Sequence, residues 1–312
     1  MTTRVAITGG FGYLGGRIAM HLAAAGHTVR LLTRDPARPR PAWSRGFDVA
    51  GSDLADPASL QTAFDGTRIV VHLAAMNARD CAADPAAAER VNVGGTEAVM
   101  RAAEATGVDR VVYVSTAHVY ATPLVGRLNE TAPLLNPHPY AATHARAEAI
   151  VRTRPGNVVF RLSNGVGAPM DAAADCWMLI ANDLCRQAVQ TGRLTLRGTG
   201  RDRRDFIPIA EVCRAVGHVI ALPADTLGDG LFNLAAGRSM TTLDLAHLVA
   251  ARAKGILGFE TPITHAPDDG ARPTDVILPT DRLAATGFTI QPDLTAEIDA
   301  TLVFCRDTFG HA

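Results

Sequence analysis

Two short stretches of the chain hold the side chains best suited to moving a proton. Ser115-Thr116-Ala117-His118-Val119-Tyr120 closes a predicted strand, and Tyr140-Ala141-Ala142-Thr143-His144 opens a predicted helix. A spacing of four sets Tyr140 and His144 on one helical face. If the Thr116 hydroxyl and the Tyr140 phenol converge on one point, they can jointly hydrogen-bond a substrate alcohol or carbonyl. The phenol can then pass its proton while a redox cofactor gives or takes hydride. Tyr120 reads as core packing. A place for the cofactor stands at the start of the chain. There Thr8-Gly9-Gly10-Phe11-Gly12-Tyr13-Leu14-Gly15-Gly16 follows the apolar run Val5-Ala6-Ile7 and leads into an amphipathic stretch reaching Gly26. A buried strand feeding such a turn sets backbone N–H groups and a positive helix end against a diphosphate. Gly10 suits the turn, Gly12 the cofactor's close approach and Gly15 the helix–strand contact. A second strand over 28–33 completes the context, so the stretch reads as a dinucleotide site rather than a bare βα turn.

The elements that must position these groups alternate. Strands are expected over 5–8, 29–33, around Val49, and over 69–73, 110–115 and 158–162; the clearest helices cover 87–106 and 140–153. Such alternation gives a parallel sheet covered on both faces. Val111-Val112-Tyr113-Val114 fits a strand buried on both sides. The proline-rich stretches 34–41 and 131–139 read as loops. After Asn164 the regularity breaks: helices over 175–191, 209–222 and 243–253 mix with short strands, as in a ligand-facing lobe. With 312 residues, 47% hydrophobic and 20% charged, the composition is that of an ordinary folded enzyme. A net charge of −1 argues against nucleic acid as a partner. Cys81, Cys176, Cys185, Cys213 and Cys305 are odd in number and never spaced as CxxC, which suits free thiols in a reducing compartment and no metal site. No apolar run approaches the roughly 20 residues of a membrane span. The first strand begins by Arg4, leaving no room for a signal peptide, so a cytoplasmic protein is expected.

Together these stretches resemble the extended short-chain dehydrogenase/reductases, in the branch called NAD-dependent epimerase/dehydratase, most of whose members act on nucleotide-activated sugars. The likeness runs nearly end to end. It takes in the TGGxGxxG turn, Asp53-Leu54, Val71-His72-Leu73-Ala74-Ala75, Asn92-Val93-Gly94-Gly95-Thr96 and Ser115-Thr116 with Val119-Tyr120. Further along come Arg161-Leu162-Ser163-Asn164-Gly165-Val166-Gly167, Arg204-Asp205-Phe206-Ile207 and Arg272-Pro273-Thr274-Asp275-Val276, the more discriminating blocks. The resemblance implies an α/β fold, a Rossmann-type doubly wound parallel sheet with a smaller mixed α/β C-terminal substrate lobe. The dinucleotide domain would span 1–163 with a return near 205–222, and 164–312 would mainly bind substrate. It makes Tyr140 the acid/base and Thr116 its hydroxyl partner. Gly9, Gly12, Tyr13, Leu14, Gly15, Asp53, Leu54, Leu73, Ala74, Ala75 and Asn92 would line the cofactor together with Tyr140 and His144. Asn164, Arg204, Arg272 and Asp275 fall on positions that hold the substrate's nucleotide. Plainer readings pair Arg204 and Arg272 with Asp205 and Asp275 as surface charges, and leave Asn164 capping a loop. A homodimer through the helices over 87–106 and 140–153 is also implied.

Three departures from the family pattern carry information. The lysine four residues after the tyrosine is replaced by His144, whose imidazole can still donate to the nicotinamide ribose. With a reference pKa of about 6.5 against about 10.4 for lysine, it is a poor source of the charge that lowers the tyrosine's pKa. Ala117-His118 stands where the sugar dehydratases carry Asp-Glu, which argues against dehydration. His118 could instead abstract a proton beside a ketone, as an epimerase would need, or be a structural hydrogen-bonder. Thr33-Arg34, with Arg38 and Arg40 behind, occupies the place of the acidic residue that grips an NAD ribose, and arginine there suits a 2′-phosphate. NADP is therefore expected over NAD. The expected activity is epimerisation or ketone reduction of a nucleotide sugar; the alternatives are reduction of a non-sugar ketone, or dinucleotide binding without catalysis.

Overall fold

A computed structural model describes residues 3–267, 270 and 275–310. Its largest sheet has seven strands: β1 (Arg4–Thr8), β2 (Thr28–Thr33), β3 (Asp48–Gly51), β4 (Ile69–His72), β5 (Arg110–Thr116), β6 (Val158–Leu162) and β7 (Leu231–Leu234). They lie in the order β7-β6-β5-β4-β1-β2-β3, and every neighbouring pair is parallel. Alternate side chains feed opposite layers. Val5 and Ile7 of β1 enter one core while Ala6 enters the other; in β5, Val112 and the pair Val111 and Tyr113 divide the same way. Ile18 and Leu22 of α1 (Tyr13–Ala24) cover the first face with Val212 and Val216 of a later helix. Val99 of α2 (Gly95–Ala105) and Ala147 of α3 (Pro139–Val151) cover the second. That later helix, α4 (Ile209–Ala221), packs on α1. The doubly wound parallel sheet expected from the sequence is thus present, completed by β7, which was not foreseen.

A third core, holding Leu184, Leu245, Val249, Ile298 and Leu302, belongs to the helices Ile180–Thr191, Thr242–Leu257 and Thr295–Phe309. Beside it Asn164–Val166, Arg203–Pro208 and Ser239–Thr241 make a three-stranded mixed sheet. One ion pair ties this region to α1: Arg17 donates to both oxygens of Glu297 (2.5 and 3.0 Å) and to the Ala168 carbonyl, and Glu297 also accepts the Ala210 amide. Two helices differ from expectation. The one expected over 175–191 begins at Ile180, because Asp175 and Trp177 are held in the preceding loop by Asn77 and the Ala172 carbonyl. The one expected over 87–106 contains a wider π-helical segment, Glu89–Gly94, ahead of α2. All five cysteines are free and buried. Among the described residues no helix is long and apolar enough to cross a membrane.

Candidate active site

The turn after β1 is built from glycine for reasons of space. Gly9 takes a left-handed φ of +65°, so the positive-φ turn belongs to Gly9 and not to Gly10. Gly10 instead packs on Leu31, where a Cβ would come within 3.0 Å. A Cβ on Gly15 would collide with the Gly9 carbonyl oxygen and the Gly10 backbone. At Gly12 a Cβ would meet only that carbonyl, at 3.2 Å, which leaves the outer side open for a ligand's backbone-close approach. The turn borders a cleft of about 700 Å³, a size that suits a cofactor. Gly9, Gly12, Thr33, Arg34, Asp53, Leu54, Ala74 and Ala75 line it, so eight of the expected cofactor residues share one cavity. Arg38 joins them, its guanidinium 5.4 Å from the Phe11 ring centre. Neither Arg34 nor Arg38 has a carboxylate partner among the described residues. Asp35 folds back onto its own loop, accepting the Ala37 amide.

Other expected cofactor residues serve the frame. Leu14 and Leu73 pack on the first core, and the Tyr13 hydroxyl donates to the Gly167 carbonyl at 2.9 Å. Asn92 makes its hydrogen bonds within the protein. It is buried; its Oδ1 accepts the Met76 amide (2.8 Å) and its Nδ2 donates to Thr143 Oγ1 (3.0 Å). The π-helical segment carries it inward, and such segments commonly mark functional sites. Asn92 therefore ties the loop after β4 to the first turn of α3. Pro139 at the start of α3 and His138, whose Nδ1 accepts the Tyr140 amide (3.2 Å), fix the same turn. Farther along α3, Glu148 accepts from Ser115 of β5 (2.6 Å) and from Arg161 of β6 (2.7 Å), a buried pair that seats the helix on the sheet.

This frame brings Thr116, Tyr140 and His144 together. Tyr140 is half-buried. Burial pushes its phenol's pKa up, and the neighbouring Thr116 hydroxyl pulls it down without cancelling the rise. Thr116 also accepts the His118 amide at 3.1 Å. The Tyr140 and His144 rings meet edge to face with centres 4.5 Å apart. His144 is buried, and burial lowers its pKa to about 4, so the imidazole is neutral near pH 7. Its Nδ1 lies 2.6 Å from the Tyr113 hydroxyl; its Nε2 is buried with no hydrogen-bond partner among the described residues. That orphan nitrogen fits a ribose hydroxyl as partner.

The residues expected to meet substrate come from different elements. His118, on the turn after β5, is solvent-facing; desolvation by its surroundings, then the charges of Arg204 and His138, lower its pKa. Arg204 pairs with Asp202 (2.8 Å) rather than with Asp205. Asp205 is buried and accepts from Ser163 (2.6 Å) and the Ala236 amide, with burial raising its carboxyl to about 6. Asp275 accepts from Arg203 and Ser239 at the surface. Asn164 sits in a strand, not a loop cap, and donates to the Asp205 carbonyl at 2.8 Å. Arg272 lies outside the described residues. Arg204 shares a pocket of about 200 Å³ with Arg197, Asp183, Met178 and Thr242. Arg197 was not singled out from the sequence; its only signal was a cation inside Leu194-Thr195-Leu196-Arg197-Gly198.

Comparison with known proteins gives the family and the fold. Residues 5–235 match the model of the NAD dependent epimerase/dehydratase family. A UDP-glucose 4-epimerase of Oryza sativa subsp. japonica is 29% identical over 277 residues, spanning 78% of this chain and 74% of that one. A dTDP-6-deoxy-L-talose 4-dehydrogenase (NAD(P)(+)) of Kitasatospora kifunensis is 30% identical over 280 residues, 86% of this chain and 84% of its own. Among solved structures, a UDP-glucose 4-epimerase with UDP-glucose from Thermotoga maritima superposes with a TM-score of 0.81 at 19% identity, covering 98% of this chain and 99% of that one.

Proposed function

This chain belongs to the NAD-dependent epimerase/dehydratase family, and on that footing we propose that it is an NAD(P)-dependent epimerase or ketoreductase of a nucleotide-activated sugar, with Tyr140 as acid/base. The observation that carries the reading is the gathering of Thr116, Tyr140 and His144; none of them lines the glycine-bordered cleft, but Asn92 joins their helix to it by bonding both Thr143 and Met76 of its lining. Curated relatives that act on UDP- and dTDP-linked sugars support the substrate class. Arg197 and Arg204 in one pocket suit a diphosphate and speak against an apolar ketone. Arg34 and Arg38 in the cofactor cleft, with Asp35 turned away, favour NADP over NAD.

When bound, the nicotinamide supplies the hydride donor or acceptor. The chain's own groups handle the proton. Thr116 and Tyr140 together hold the sugar oxygen, and the phenol, kept protonated by burial, donates when a ketone is reduced. The reverse direction needs the phenolate. His144 is neutral and lends it no charge, so sugar oxidation should require more alkaline conditions than a lysine at that place would. His118, neutral and beside Arg204, is the candidate base for removing a proton next to a ketone. Two copies pairing through α2 and α3 belong to the same reading.

The test is a panel of UDP-, dTDP-, GDP- and CDP-sugars incubated with NAD+ or NADPH, followed by NMR of the sugar and absorbance of the nicotinamide. An epimer without net absorbance change marks epimerisation; NADPH consumption marks reduction. Tyr140→Phe should lower kcat by about 10²–10⁴-fold. Unchanged turnover in that variant would remove the phenol from the mechanism, and equal affinity for NAD and NADP would remove the arginines from cofactor choice.

A further inference from the structure

Tyr113 lies inside β5, 1% exposed, stacked on His144 at 5.8 Å between ring centres. Its hydroxyl has one hydrogen and, among the described residues, one partner, His144 Nδ1 at 2.6 Å. Were the proton on Nδ1, the phenol's own hydrogen would be buried without an acceptor, an arrangement that folded proteins avoid. Tyr113 therefore donates and Nδ1 accepts. Burial keeps both partners uncharged, the phenol well above its usual pKa and the imidazole at about 4. A neutral imidazole that accepts at Nδ1 carries its hydrogen on Nε2.

His72 shows what a finished arrangement looks like. Thr8 donates to His72 Nδ1 (2.8 Å), Nε2–H donates to Thr96 Oγ1 (3.1 Å), and Thr96 donates to the Asn92 carbonyl (2.6 Å). Thr8 Oγ1 in turn accepts the Leu73 and Ala74 amides, so every group is used. The His144 chain stops one bond short, at Nε2.

We propose that Tyr113 is a positioning residue that locks His144 in its Nε2–H tautomer, making that nitrogen a dedicated donor to a ribose hydroxyl of the bound dinucleotide. The ribose half of this statement rests on the cofactor reading above; the lock does not. The device replaces a charged grip by a neutral, directional one. It also gives a function to a tyrosine that otherwise counts as sheet core.

Two measurements separate the parts. In ¹⁵N-histidine-labelled protein, with the His144 signals assigned by their loss in His144→Lys, two-bond ¹H–¹⁵N spectra should show Nε2 protonated and Nδ1 bare. Tyr113→Phe should mix the tautomers. NADPH titration by fluorescence should then give a dissociation constant about tenfold higher in Tyr113→Phe. The same change made in His144→Lys should alter it by less than about twofold, because lysine has no tautomer to lock. A wild-type spectrum with Nδ1 protonated overturns the lock even if Tyr113→Phe fails to fold. Equal weakening in both backgrounds overturns it too, since it marks Tyr113 as merely structural. An intact tautomer in a protein that binds neither NADPH nor NAD+ overturns the cofactor reading alone.

Discussion

The two halves of the cleft are made in different ways. On the side proposed for the cofactor, the wall made by the turn is backbone, with a left-handed Gly9, an open Gly12 and a Gly15 that admits no side chain, all set by β1 and α1, while Arg34 and Arg38 line the same cleft. On the substrate side the surface is side chain, with Arg204 and Arg197 carried on short strands and loops and steadied by neighbours such as Asp202. Backbone sites tolerate nothing added and side-chain sites degrade by degrees.

Acid should pull the halves in opposite directions and has the largest expected effect. His72, lowered to about 3 by burial and then by His144, and His144, lowered to about 4, stand beneath the cofactor half. The unfolded chain binds their protons near pH 6.5 and the native chain does not, so stability falls as pH drops from 6.5 toward 4. Asp205, on the substrate side, opposes this: its carboxyl is raised from 3.8 to about 6, so folding is relieved as pH falls through 6. Two imidazoles outweigh one carboxyl, for a net loss on the order of 4 kcal/mol between pH 7 and 4. Urea midpoints across that range check it, and a flat or rising series would contradict it. Next in size, Gly15→Ala adds a single methyl against the Gly9 carbonyl oxygen. That should cost roughly 3 kcal/mol of folding stability, read as a lower urea midpoint than the wild-type protein's. Arg204→Ala should be milder. About a tenfold rise in KM for the nucleotide sugar, with kcat within about threefold, is expected from loss of a half-exposed charged contact. If that variant instead lost kcat with KM unchanged, the contrast between the halves would have to be redrawn.

The cofactor half was the legible one. Glycine spacing, an apolar strand before it and an amphipathic stretch after it are local signals, and they specified β1, the turn and α1 almost to the residue. What went astray there needed three dimensions. The positive φ sits one glycine earlier than expected, at Gly9. Asn92 is tied to the cofactor by the resemblance alone; that its helix widens into a π segment and turns it toward Met76 and Thr143 is visible only in three dimensions. Tyr113 was hidden for the opposite reason: within Val111-Val112-Tyr113-Val114 it looks like filler, and only packing reveals its hydroxyl against His144. On the substrate side the strands are two to six residues long, too short for periodicity to speak. The resemblance marks Arg204 but neither its partner Asp202 nor Arg197.

The contact between Arg17 and Glu297 bears on how the C-terminal helix is held. Lifting the C-terminal helix away from α1 would strand a carboxylate whose side chain is only 6% exposed, together with the guanidinium that faces it. Replacing Arg17 alone, which leaves that carboxylate buried and unpaired, should cost about 3 kcal/mol. The pair thus holds the helix Thr295–Phe309 against α1. Any opening between these two helices must therefore break a contact that also anchors the Ala168 carbonyl and the Ala210 amide.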